Sequence, residues 1–269
     1  MIEVIFYILI FCIGTVFGSF FTLAVYRIPL HQDITHEHSY CPNCKHKLGF
    51  WDMIPILSYI FLGGKCRYCK KKIRIRYLML EIFAGIVFLL FAMSLNLSFV
   101  SIKINEMINL GIFYLFLAGI IIIAGIDKEK RIIQKELLLY EILIQGIYMV
   151  YLCIVEEANI YRYAIYLSIM VILLIIENTY LRRKLENNYT IEILELSLIL
   201  IMFVGEKAYV ASVILTLLSI AIECIEKKLI DFKHKENKQK NSYYKNLPIG
   251  FYLICSNIIS LIIMNFISM

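Results

Sequence analysis

Apolar residues gather along this chain into long runs, set apart by short charged stretches. The runs lie at about 4–26, 77–95, 107–126, 136–155, 160–180, 191–205, 208–226 and 246–267. A helix needs roughly 20 apolar residues to cross the hydrocarbon core of a bilayer. Each run therefore predicts a spanning helix. The sixth is short and carries Glu192 and Glu195. No connection exceeds about twenty residues except 27–76, so successive spans are expected to pack as antiparallel neighbours. The pattern predicts an all-α polytopic membrane protein of about eight transmembrane helices. It has three parts: a first span over 1–26, a loop over 27–76, and a bundle of about seven spans over 77–269.

Composition agrees with that pattern. The chain is 61% hydrophobic and 18% charged, where soluble domains are about 45–50% apolar and about 25% charged. A soluble two-domain protein of this length is disfavoured, and lipid is the expected solvent. The amino-terminal MIEVIF has no basic segment before its apolar run, which reads as a retained first span and not as a removed leader.

The placement of charge orients the spans. Segments 27–76, 128–135, 182–184 and 227–245 hold 24 of the 27 Lys and Arg residues. The other three, Lys103, Arg162 and Lys207, fall in or beside the alternate loops. Basic loops stay on the cytoplasmic side, so both termini are expected outside. Dropping the sixth span would break the alternation. The basic run 227–245 reads as a solvated linker, or as a segment drawn to anionic headgroups.

Eight cysteines are present. Cys12, Cys153, Cys224 and Cys255 stand singly in apolar runs, where cysteine behaves as a small hydrophobe. The other four form two C-x-x-C pairs, Cys41/Cys44 and Cys66/Cys69, with 21 residues between them. That spacing is a zinc-site signature. Two tight turns, each presenting two thiolates, complete a closed tetrahedral site, so the metal is expected to be structural. Zinc is favoured over iron, and a cytoplasmic position argues against two disulfides. Lys45, Lys47, Lys65, Arg67, Lys70, Lys71 and Lys72 surround the pairs. Positive-inside bias and a surface for lipid headgroups or substrate account for them, and no nucleic acid partner is expected.

Several short motifs carry a family resemblance. Gly18-Ser19-Phe20 and Tyr26-Arg27-Ile28-Pro29 close the first span. Cys41-Pro42-Asn43-Cys44, Trp51-Asp52-Met53-Ile54-Pro55 and Gly64-Lys65-Cys66-Arg67-Tyr68-Cys69 follow. Arg74-Ile75-Arg76-Tyr77 then leads to Glu81, and Leu247-Pro248-Ile249-Gly250 enters the last span. In order and spacing this set resembles the type IV prepilin peptidases, bacterial intramembrane aspartyl proteases. The resemblance implies an endopeptidase of the bacterial inner membrane that removes the leader of type IV pilin precursors and related pseudopilins on the cytoplasmic face. Many such proteins also methylate the new amino terminus, which implies S-adenosylmethionine as a second cofactor beside zinc. Pilin-like precursors and membrane lipid are the implied partners.

The resemblance also implies two catalytic carboxylates. Gly125-Ile126-Asp127-Lys128 resembles the family's first catalytic motif, with Gln134 where a proline is usual. The second motif, Gly-x-Gly-Asp, is missing; the corresponding stretch is Asn188-Tyr189-Thr190-Ile191-Glu192-Ile193-Leu194-Glu195. Counting from the charged run at 182–186 places the Asp position nearest Glu192, and counting back from Gly205 allows Glu192 or Ile193, and Glu195 only with a deletion. The expected dyad is Asp127 with Glu192. The competing expectation is a relative that binds pilin precursors without cutting them. A transporter with intramembrane carboxylates leaves the cysteine loop unexplained. Glu81, Glu141, Glu177 and Glu223 are further acids in or at the ends of spans, where such groups are functional suspects. Pairing along the helix or interfacial placement is expected for Glu141, Glu177 and Glu223, while Glu81 falls within the family-like stretch.

Overall fold

A computed structural model of the chain describes residues 1–36, 38–155, 160–176, 189–233 and 247–268. Nine helices are described: α1 (Ile2–Arg27), α2 (Leu57–Phe61), α3 (Ile75–Ser94), α4 (Ile104–Lys130), α5 (Lys135–Val155), α6 (Ile160–Ile176), α7 (Tyr189–Val204), α8 (Glu206–Lys233) and α9 (Ile249–Ser268). Among the described residues the only β-type pairing is two isolated antiparallel bridges in the loop between α1 and α3. The protein is an all-helical, multi-pass membrane protein. Each of the eight predicted spans coincides with one helix, and six of these, α1, α3, α4, α5, α8 and α9, are long and apolar enough to cross a bilayer. Helices α6 and α7 have 17 and 16 residues and border stretches 156–159 and 177–188, which lie outside the described residues. The expectation for Glu177 falls there, as does most of the basic run 227–245.

By packing, the chain divides into two compact units, Met1–Tyr114 and Leu115–Met269. In the first, α1 and α3 lie in close contact because glycines remove the side chains between them. A Cβ placed on Gly14 would sit 2.8 Å from the Gly85 Cα, and one on Gly18 would sit 2.7 Å from the Glu81 Cα. Gly14 and Gly18 form a small-x-x-x-small stripe, the arrangement that lets spanning helices approach backbone to backbone. At the other end of α1, Tyr7 donates to the Leu97 carbonyl at 2.7 Å, and Glu3 accepts from Ser98 and from the Phe99 N–H. Phe88 stacks on Tyr114 with ring centroids 4.1 Å apart.

In the second unit, α7 is the buried centre, with Leu196, Ile199 and Leu200 fully covered. Phe203 stacks on Phe116 at 3.7 Å, and Gln145 on α5 donates to the Ile199 carbonyl at 3.3 Å. Helices α8 and α9 meet along a polar seam, where Asn257 Nδ2 donates to the Ser212 hydroxyl at 3.4 Å. Short polar side chains of this kind link helices where hydrocarbon offers no other partner.

Candidate metal centre and candidate active site

The loop between α1 and α3 is built on two copies of one turn. Cys41 N–H donates to the His46 carbonyl and Lys45 N–H to the Cys41 carbonyl, at 3.0 and 2.8 Å. Twenty-five positions on, Cys66 N–H donates to the Lys71 carbonyl and Lys70 N–H to the Cys66 carbonyl, at 2.9 and 3.0 Å. Lys45 and Lys70 both take the left-handed conformation, with φ of 59° and 58°. The bridges Tyr40–Lys47 and Lys65–Lys72 close the two turns. Each turn thus presents its two thiols to one side.

The four sulfurs converge. Cys41, Cys44, Cys66 and Cys69 hold their Sγ atoms within 4.8 Å of one another, with Cys41 and Cys69 at 3.9 Å. A tetrahedral zinc with bonds of about 2.3 Å separates its sulfurs by about 3.8 Å, so the cluster fits one structural ion. Burial pushes the Cys41 thiol up, but the N–H groups of Cys44 and Asn43 and the neighbouring thiols bring it down to about 7. The His46 N–H draws the Cys44 thiol down, yet burial and the Cys41 and Cys69 side chains outweigh it and push the group up to about 11. Four thiols so crowded cannot ionise together without a cation between them. A metal held here would have four protein ligands and no open position, which is a structural and not a catalytic arrangement.

Three side chains fix the knuckle in place. Arg27, buried at the end of α1, donates to the Asp33 and His38 carbonyls at 2.8 and 3.1 Å and lies over the Tyr40 ring. Asp52 accepts from Arg67 Nε at 2.6 Å and from the Gly49 N–H at 3.2 Å, so it joins the second cysteine turn to the segment between the pairs. Burial alone would raise the Asp52 carboxyl, but the Arg67 hydrogen bond and charge hold it below the usual carboxylate range. Glu81, one of the suspect acids, is buried on α3 and accepts from the Ile56 N–H at 2.8 Å.

The second unit holds Asp127, three residues before the end of α4. Its side chain is wholly buried. Arg131, with φ of 60°, donates its N–H to the Asp127 carbonyl and ends the helix. Three helices converge on the carboxyl group. The Tyr189 hydroxyl, at the start of α7, donates to Oδ1 at 2.8 Å. The Phe251 N–H, in the first turn of α9, donates to Oδ2 at 2.8 Å. The Gly250 N–H in turn donates to the Tyr189 hydroxyl at 3.4 Å. Gly250 is needed for this approach, since a Cβ there would lie 3.1 Å from Oδ2. The amino end of α9, where the Gly250 and Phe251 N–H groups bond outside the helix and the dipole end is positive, suits such an acceptor.

Glu192 lies in the first turn of α7, half-buried, three residues after Tyr189 and therefore on the same side of the helix. Glu195, the deletion alternative, is 1% exposed. Glu223 accepts from the Tyr252 hydroxyl, a bond from α9 to α8. Glu141 departs from expectation. It is wholly buried in α5, and both carboxyl oxygens lack a hydrogen-bond partner among the described residues. Its carboxyl group fills the space that a side chain at Gly119 would need, since a Cβ there would clash with Oε1. Tyr189 and Phe251 escaped the sequence reading. Tyr189 stands in the stretch that replaces the second motif, and Leu247-Pro248-Ile249-Gly250 marks the entry to α9, but neither run says what these residues touch.

Comparison with known proteins bears on the first unit above all. Residues 12–95 match the family model described as Bacterial Peptidase A24 N-terminal domain. A prepilin leader peptidase/N-methyltransferase of Myxococcus xanthus is 37% identical over 83 residues, covering 31% of this chain and 25% of the relative. One from Bacillus subtilis is 30% identical over 132 residues, covering 49% of this chain and 50% of the relative. A type 4 prepilin-like proteins leader peptide-processing enzyme of Escherichia coli O78:H11 is 33% identical over 95 residues, 29% of this chain and 35% of the relative. The chain thus spans half or less of the length of these relatives. No solved structure matches it.

Proposed function

Because residues 12–95 carry the Bacterial Peptidase A24 N-terminal domain, we propose that this chain is a membrane aspartyl endopeptidase that removes the leader of type IV prepilin-like precursors. The observation that carries the reading is Asp127. It is a carboxyl group buried at the end of a spanning helix, reached by α7 and by the Pro-Ile-Gly entry of α9. The precursor is held as a helix in the bilayer with its cleavage site near the end of α4. Asp127, ionised, takes a proton from the attacking water. Glu192, protonated, polarises the scissile carbonyl and later passes its proton to the leaving amine. Two carboxyl groups sharing one proton is the general device of aspartyl proteases. Glu192 reaches one methylene further than an aspartate, which compensates in part for the missing glycines of the second motif.

Zinc in the knuckle has a structural part in this scheme. Relatives named N-methyltransferase support S-adenosylmethionine-dependent methylation of the new amino terminus as a second activity. The alternation of Lys and Arg supports a site on the cytoplasmic face of the bacterial inner membrane, with both termini outside.

One observation favours a second reading. The side chain hydrogen-bonded to Asp127 is the phenol of Tyr189, where a dyad would be expected to set a carboxyl group. A protein that binds pilin-like precursors without cutting them would tolerate this. Co-expression with a prepilin-like precursor from the same genome separates the two. The peptidase reading expects Asp127→Asn and Glu192→Gln each to abolish leader removal at unchanged expression and zinc content, and Glu195→Gln to have little effect. Normal cutting by Glu192→Gln excludes Glu192 as the partner. A wild-type chain that binds precursors and cuts none supports the second reading.

A further inference from the structure

The segment between the two cysteine turns exposes more apolar surface than a loop in water supports. Phe50, Trp51, Leu57, Ile60 and Phe61 are all exposed, Trp51 at 73% and Phe61 at 82%. Leu57, Ile60 and Phe61 share one face of the short α2, spaced three and four apart. Tyr59 turns away from that face and donates its hydroxyl to the Ile73 carbonyl at 3.4 Å. Beside the face lies an open cleft of about 300 Å³, lined by Trp51, Ile54, Leu57, Phe61, Leu62 and Arg67. Contiguous exposed apolar surface of this kind marks an interaction site.

The height of the segment tells what it meets. Ile56, the residue before α2, is tied by its N–H to Glu81 at 2.8 Å. Glu81 stands six residues after Ile75, where α3 begins, which is about 9 Å along the helix. Helix α3 is apolar enough to cross a bilayer from Ile75 onward. The apolar face is therefore anchored beside the first turns of a membrane-crossing helix and not beyond its end. Lys65, Lys70, Lys71, Lys72 and Arg74, all exposed, follow in the stretch that leads from α2 back to α3. Aromatic side chains at headgroup level with lysines and arginines on the same side are the pattern of an interfacial anchor.

We propose that the face made by Phe50, Trp51, Leu57, Ile60 and Phe61 is seated in the interfacial layer of the bilayer. The carbonyl-proximal parts of acyl chains enter the cleft, and the exposed basic residues meet anionic phospholipid headgroups. The metal knuckle is then held against the membrane by the Glu81 tether, by Arg27 and by the lipid itself. This role is independent of whether the chain cleaves a precursor.

Trp51 is the one tryptophan of the chain, so its fluorescence reports on this face alone. The test uses the full metal-loaded chain in nanodiscs of phosphatidylcholine and phosphatidylglycerol. Trp51 is expected to emit at short wavelength and to lose most of its intensity when the lipids are brominated near the carbonyl end of the acyl chain. Aqueous iodide is expected to quench it little. At equal bromine content, brominated phosphatidylglycerol is expected to quench more than brominated phosphatidylcholine. Ile60→Ser with Phe61→Ser is expected to shift the emission to the red and admit iodide while zinc content stays the same. Emission like that of indole in water, quenched by iodide and untouched by brominated lipid, would overturn the proposal. So would emission that moves only when an apolar helical peptide is added, since the face would then be a protein-docking surface.

Discussion

The clearest physical signal at the scale of single residues is the seating of Glu141 on Gly119. A carboxyl group buried in an apolar bundle needs room as much as it needs partners, and here a glycine one helix away supplies the room. Gly119→Ala is expected to destabilise the protein by about 1–3 kcal/mol through overpacking, read as a lower midpoint of thermal unfolding in detergent. Adding Glu141→Ala should recover part of that loss, because the clash and the side chain that causes it go together. Additive losses would mean that the two residues do not meet. None of this is legible in the sequence, where Glu141 is one of four acids in or at the ends of apolar runs and nothing marks Gly119. Asp127 was legible, because a family-like motif surrounds it. Its hydrogen-bond partners were not, since Tyr189 and Phe251 lie 62 and 124 positions away and no local pattern encodes such contacts.

At the scale of elements, the knuckle was the most legible part of the molecule. A C-x-x-C turn is a local structure, and two of them suffice to define the ligands. What the sequence did not show is how the turns are joined to each other and to the helices. That work falls to Asp52, Arg27 and Glu81, through bonds to backbone and side chains elsewhere in the unit. About one zinc per chain is expected from a single closed site. Cys66→Ser should release it while leaving the spanning helices inserted, as measured by metal analysis and carbonate extraction. Asp52 adds a pH dependence. Its carboxyl is held below its ordinary range by Arg67, so its contribution is present at neutral pH and is lost as pH falls through that lowered value. Metal release to a chelator should therefore speed up on the acid side, and Asp52→Asn should be faster at neutral pH, flatter with pH, and level with the wild type at the acid end. A variant that matches the wild-type profile would remove Asp52 from this account.

At the scale of the whole molecule, the eight runs of apolar sequence foretold the helices well, because spanning a bilayer sets length and composition together. The boundaries moved mostly outward: α4 runs to Lys130 and α8 to Lys233, since helices extend past the apolar stretch into polar residues. The division into units at Tyr114 and Leu115 was not foretold, because it falls inside one continuous helix. Orientation rests on the basic loops. Reporter fusions after residues 100, 158 and 206 should report the outer face, and fusions after 72, 131, 185 and 238 the cytoplasm. A cytoplasmic signal after 206 would mean that α7 does not cross.

Purified components decide whether Asp127 serves a peptidase. The full chain and its Asp127→Asn variant are reconstituted separately in liposomes with a prepilin-like precursor, and the mass of the precursor is followed over time. If Asp127 does, the wild-type chain removes the leader and Asp127→Asn leaves the precursor intact at equal zinc content. An intact precursor with both proteins, or equal cleavage by both, would exclude that role.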